Sequence, residues 1–170
     1  MAGASLIATA PFISRHSWAA GSPMQKLQYA GIGVGGRGAY DIHSISAHKK
    51  VHMVAAADVD SDARKKLAAK AIGVKIFSDW REMLQATDID IVSVSTPDHM
   101  HGIMALSAMN MGKHVYVQKP LAQTVGECRA MQKSAKRNNV IVQMGTQGAS
   151  SFNDRMAVEL VQGQFIGKVT

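Results

Sequence analysis

A chain of 170 residues has room for one domain and the beginning of another, and little more. With 46% hydrophobic and 18% charged residues it can fill a core, which excludes wholesale disorder. Nineteen Lys and Arg against twelve Asp and Glu leave a charge of +7, yet the basic residues are scattered and aromatics reach only 5%, so a nucleic-acid surface is not expected.

The apolar run from Ala4 to Ile13 is too short to cross a bilayer and contains Pro11, so no membrane span is expected. Composition shifts near Gln25. Residues 1–26 combine a short apolar stretch with Ser, Ala, Gly and Pro, which resembles the apolar region and cleavage zone of an export signal. No Lys or Arg precedes Arg15, so the basic start of such a leader is missing and a flexible arm is the alternative. Export is the expectation, with a cytoplasmic location as the alternative. The single cysteine, Cys128, removes intrachain disulfides and CxxC metal or redox sites.

From Lys26 the pattern alternates. Short β-type runs are predicted at Leu27–Ile32, Val51–Ala57, Val74–Phe77, Ile89–Ser95, His114–Gln118 and Val140–Met144. Helical periodicity lies between them at Arg37–Ala47, Ser61–Ala71, Trp80–Ala86, His99–Met111 and Val125–Asn138. Asp98 and Thr124 stand at expected N-caps, and Gly112 follows a helix end. Strands alternating with helices imply an α/β fold with a doubly wound, mainly parallel sheet. Residues 27–150 form this domain, and a further helical pattern from Asn153 to Gln162 follows.

The first strand runs into Gly31-Ile32-Gly33-Val34-Gly35-Gly36, which fits G-x-G-x-x-G through Gly31, Gly33 and Gly36. The first glycine permits a tight turn, the second lets backbone approach a pyrophosphate, and the third lets helix and strand pack closely. The next helix then offers free N–H groups and the positive end of its dipole to phosphates. Strand two ends at Asp58, 22 residues past Gly36, where a carboxylate accepts from ribose hydroxyls and repels a 2′-phosphate. NAD is therefore favoured over NADP, with Arg37 as a complication. A methyl-donor-binding domain uses the same two features and stays open at this point.

Two later turns narrow the choice. Strand four ends in Ser95-Thr96-Pro97-Asp98-His99-Met100-His101 and strand five in Gln118-Lys119-Pro120, both at carboxyl ends where ligands collect in such sheets. In this motif order the sequence resembles the Gfo/Idh/MocA family of glucose–fructose oxidoreductase and inositol dehydrogenase, with Gln118 in place of the usual Glu. The resemblance implies a Rossmann-type NAD-binding domain in which Gly31 through Gly36, with Val34 and Gly35 between them, hold the pyrophosphate and Asp58 the ribose. It places Ser95, Thr96 and Pro97 beside the nicotinamide half, His101 in support of that loop, and Lys119 as the catalytic residue at the nicotinamide ribose and a substrate hydroxyl, and it counts Arg37, His101 and Gln118 among the cofactor-binding positions. Burial of Lys119 would suit it to a proton relay.

The resemblance further implies a second α/β domain with an open antiparallel sheet, begun in residues 151–170 and cut short, so that this chain alone would be inactive. It implies a sugar, inositol or related polyol as substrate and a homo-oligomeric full-length parent. An NAD-dependent glycoside hydrolase of the same superfamily and a non-catalytic nucleotide-binding module are the alternatives. A metal site at His99 and His101 is not expected, because residues two apart on a helix do not share a face. The methionines Met100, Met104, Met109 and Met111 are expected to fill core.

Overall fold

The computed structural model describes residues 26–168. The export-signal reading of residues 1–26 therefore falls almost entirely outside the described residues, as does the very end of 151–170. Six strands form one sheet: β1 Leu27–Ile32, β2 Val51–Ala57, β3 Lys75–Phe77, β4 Ile91–Val94, β5 His114–Gln118 and β6 Val142–Gly145. Every pairing is parallel and the order is β3-β2-β1-β4-β5-β6. The order reverses direction between β1 and β4, which opens a crevice beyond their carboxyl ends.

The helices are α1 Gly36–Ser46, α2 Ser61–Ala68, α3 Trp80–Ala86, α4 His101–Asn110, α5 Val125–Asn138 and α6 Phe152–Gln162. Successive strand residues point to opposite faces and so build two cores. Ala30, Ile32, Ala55, Ala57, Val92 and Val94 meet α3, α4 and α5 through Met83, Met104, Met109 and Met131. Tyr29 and Ala56 face the other way, toward Ile42 of α1 and Ala63 of α2. Met109 and Met104 fill core as expected, whereas Met111 is 42% exposed, because the helix ends one residue before it.

Thr124 caps α5: its hydroxyl accepts from the Glu127 N–H while the Glu127 carboxylate accepts from the Thr124 N–H, a reciprocal capping box. Asp98 does not cap α4. It opens a short 3-10 turn, Asp98–Met100, and α4 starts from Met100 with no side-chain cap. Strand β4 is shorter than Ile89–Ser95 because the preceding segment is used otherwise: the Asp90 carboxylate accepts from the Gln28 N–H. Helix α2 stops at Ala68, ahead of a turn through Gly73.

Helix α6 buries none of its residues, and Phe152, Met156 and Leu160 lie along it exposed. Among the described residues no helix is long and apolar enough to cross a membrane.

Candidate functional site

The crevice at the reversal is a cleft of about 660 Å³ between the ends of β1, β2, β3 and β4. Its floor is the turn after β1. Gly33 has φ 83°, and a Cβ there would lie 2.6 Å from the Ser95 carbonyl oxygen, so only glycine fits. Gly35 is the N-cap of α1 and lines the cleft. Gly38, inside α1, lies against the Gly33 carbonyl so closely that a Cβ would sit 2.7 Å from its carbon.

These positions shift the glycine fingerprint. The turn, approach and packing roles fall to Gly33, Gly35 and Gly38, not to Gly31, Gly33 and Gly36. Gly31 is a β1 residue paired with Ala56 and Ser93, away from the turn. Gly36 begins α1 at φ 47°, a turn conformation that favours glycine, but has open space where its Cβ would be and so makes no close approach. In the corrected frame Asp58 follows the last glycine by 20 residues.

Asp58 lines the cleft and stitches the turn to β2. Its Oδ2 accepts from the Val34 N–H at 2.7 Å and its Oδ1 from the Asp60 N–H at 2.9 Å. Each oxygen keeps a lone pair for a further donor. Val34 itself is buried against Ile42 and Ala63, so only its backbone serves the site. Arg64 donates to the carbonyls of Asp58 and Val59, which fixes the loop. Arg37 does not line the cleft: its Nε meets Asp41 Oδ1 at 3.3 Å and its guanidinium covers the Tyr40 ring.

The far wall comes from β4. Ser95, Thr96 and Pro97 line the cleft together with His99, Met100 and Met104. His101 lies behind them, fully buried, with its ring nitrogens 2.7 Å from the Pro120 carbonyl oxygen and 2.8 Å from that of Thr96. A neutral ring donates to one of these oxygens and a protonated ring to both. His101 thus ties the Thr96 turn to the Lys119 turn. The Lys119–Pro120 peptide bond is cis. Lys119 is exposed at the end of β5, so the burial expected of it is absent among the described residues. Gln118 is buried and turned away from the cleft, with its amide on Asp41.

Sequence reasoning missed three groups. Asp41 receives Ser95, Gln118 and Arg37. Gly38 supplies the close packing. The third is Asp79-Trp80-Arg81 at the carboxyl end of β3, where Asp79 caps α3 and Arg81 lies 4.6 Å over the Trp80 ring on the cleft rim. An aspartate directly before a predicted helix was the available signal for the last.

An all-parallel sheet of this order, with a glycine turn and an acid at the next strand end, is the arrangement of dinucleotide-binding domains. Residues 27–146 match the model of the oxidoreductase family with an NAD-binding Rossmann fold, and the chain belongs to that family. The family match decides for a dinucleotide-binding domain over a methyl-donor-binding one. Levoglucosan dehydrogenase of Pseudarthrobacter phenanthrenivorans is 38% identical over 49% of this chain and 22% of its own length. Alpha-N-acetylgalactosaminidase of Shewanella oneidensis is 29% identical over 86% of this chain and 34% of its own length. Among solved structures, myo-inositol 2-dehydrogenase of Lactobacillus plantarum superposes with a TM-score of 0.74 at 30% identity, over 85% of this chain and 43% of that one. The chain therefore spans less than half the length of each of these three relatives.

The site fits the cofactor that the family description names. The cradle at Gly33 and Gly38 leaves no room for a side chain, and Asp58 offers unshared lone pairs inside the cleft.

Proposed function

We propose that this chain is the cofactor-binding part of an NAD-dependent oxidoreductase acting on a sugar, inositol or related polyol. Asp58 carries the reading: a carboxylate in the cleft, held by two backbone N–H groups, suits ribose hydroxyls and repels a 2′-phosphate. Arg37 meets Asp41, Arg64 donates to backbone carbonyls, and Arg81, the arginine on the cleft rim, pairs with Asp79. Gly33, Gly35 and the start of α1 would hold the pyrophosphate, and Thr96 and Pro97 the nicotinamide half. Bound nicotinamide supplies the hydride-exchanging carbon. Lys119 would donate to the oxygen on the reacting substrate carbon and stabilise charge where it develops. The names of the levoglucosan and myo-inositol dehydrogenases support a polyol-like substrate. Export and a homo-oligomeric assembly belong to the same proposal.

Alpha-N-acetylgalactosaminidase, similar along 86% of this chain, favours a second reading: a glycoside hydrolase in which transient oxidation permits elimination. Release of an aglycone without net NADH would identify it.

The test is thermal unfolding with NAD and with NADP. A ligand that binds only the folded state at a hundredfold excess over Kd adds about 2.7 kcal/mol. NAD is expected to raise the midpoint, NADP to raise it less, and Asp58→Ala to lose the rise. No rise with either nucleotide, on a sample that circular dichroism shows to be folded, overturns the reading.

A further inference from the structure

Among the described residues, one buried carboxylate lies outside the cleft. Asp41, on α1, is 4% exposed. Its Oδ2 accepts from the Ser95 hydroxyl at 2.8 Å and from the Gln118 amide at 2.7 Å, and its Oδ1 lies 3.3 Å from Arg37 Nε. A buried carboxylate is costly unless its oxygens are satisfied, and here three donors converge on it. The donors come from places that matter. Ser95 is the residue before Thr96, and Gln118 is the residue before Lys119. The helix that carries Asp41 begins at the glycine turn.

We propose that Asp41 is the positioning residue of the nicotinamide half-site, setting the Thr96 turn and Lys119 relative to the glycine turn through one carboxylate oxygen. The inference rests on the dinucleotide reading above. It follows that residue 118 must be a donor. An acid there would face Asp41 at hydrogen-bond distance, and two carboxylates so close hold together only by sharing a proton. The Gln118 amide makes that proton unnecessary. The other charged or titratable groups around Asp41 are Arg37 on its own helix, Tyr29 on β1 and Tyr116 on β5. Burial and the Asp41 charge push both phenols up, so neither ionises near neutral pH.

The experiment uses the 170-residue chain at a temperature where circular dichroism shows every variant folded. NADH binding is followed by its fluorescence, and ADP-ribose, which lacks the nicotinamide, by calorimetry, from pH 5.5 to 8.5. Asp41→Ala should weaken NADH about tenfold and leave ADP-ribose within about twofold. Gln118→Glu should match wild type at the acid end and fall about tenfold behind at the alkaline end, as the shared proton leaves. Asp41→Asn combined with Gln118→Glu reverses the amide–carboxylate pair and should recover binding across the range.

Should Asp41→Ala fail to fold, the two Gln118→Glu proteins decide the matter. Equal loss for NADH and ADP-ribose, a Gln118→Glu deficit independent of pH, or no recovery in the double variant overturns the proposal. Wild type that fails to bind NADH overturns the dinucleotide reading itself, and that is seen before any variant is compared.

Discussion

Gly38→Ala sets two effects against each other. In a helix interior alanine is favoured over glycine by up to about 1 kcal/mol. Here the added methyl would lie 2.7 Å from the Gly33 carbonyl carbon and 3.3 Å from Ser95 Cβ. Carbon atoms rest at about 3.5–4.0 Å, and the Gly33 carbonyl oxygen lies nearer still, so α1 would have to withdraw from the turn after β1 by more than roughly 0.8 Å. Overpacking costs about 1–3 kcal/mol, and a clash with a backbone carbonyl belongs to the upper half of that range, about 2–3 kcal/mol, which exceeds the propensity gain and leaves a net loss of about 1–2 kcal/mol. For a chain this long that is a fall of about 2–8 °C in Tm. The same withdrawal moves the floor of the cleft, so the rise in Tm produced by NAD should vanish as well. Gly126→Ala is the internal control. That glycine is exposed near the start of α5 and its Cβ would approach nothing nearer than 3.8 Å, so the substitution should be neutral or stabilise by up to about 1 kcal/mol. Differential scanning fluorimetry of the three proteins with and without NAD reads both effects. A Gly38→Ala protein that melts at or above wild type and still responds to NAD would refute the close-packing argument.

Two further outcomes are expected. Tyr29 and Ser93 are fully buried with their hydroxyl oxygens 2.6 Å apart, and burial drives the phenol well above its ordinary range despite that bond. Tyr29→Phe strands the Ser93 hydroxyl and should cost about 1–2 kcal/mol in urea denaturation, part of which Ser93→Ala in the same chain restores; strict additivity of the two changes would deny the coupling. Lys113 is buried with Nζ 3.1 Å from the Ile89 carbonyl oxygen, and burial lowers its pKa from 10.5 while Asp88 and Asp90 pull it partly back. Between the lowered value and 10.5 the unfolded chain holds more protons than the folded one, so this group's contribution to stability rises with pH in that window. The stability difference between wild type and Lys113→Met should therefore climb on approaching pH 10.5, and a flat difference would show that Lys113 is not desolvated.

Much of the architecture was legible because alternation and turn residues agreed. β1, β2, β5, α3 and α5 fall where their apolar patterns end. Misreadings occurred where one residue type serves two purposes. The glycines of Gly31 to Gly38 satisfy the fingerprint in two frames; Gly33 belongs to both and Gly36 also has a positive φ, so the choice rests on the crowding of Gly38 against the Gly33 carbonyl and on the place of Gly31 inside β1. Asp98 stands like a helix cap, but a 3-10 turn intervenes before α4. Asp41 was invisible for a different reason. It belongs to no motif, and its partners Ser95 and Gln118 lie 54 and 77 residues away in sequence. Gln118 was visible, but its partner was not, since a polar residue beside Lys119 gives no sign of which sheet face it takes.

The sheet separates two kinds of chemistry. Lys113, Ile89 and Asp90 gather at the amino ends of β4 and β5, while Asp41, Ser95 and Lys119 gather at the opposite rim. Strands of four and five residues at about 3.3 Å each put roughly 13–17 Å between these rims. Changes so far apart, with no shared partner, add instead of coupling. One rim can therefore be rewritten for a new ligand while the other carries an unrelated load of folding energy. An inherited scaffold with this layout can explore chemistry without renegotiating its foundations.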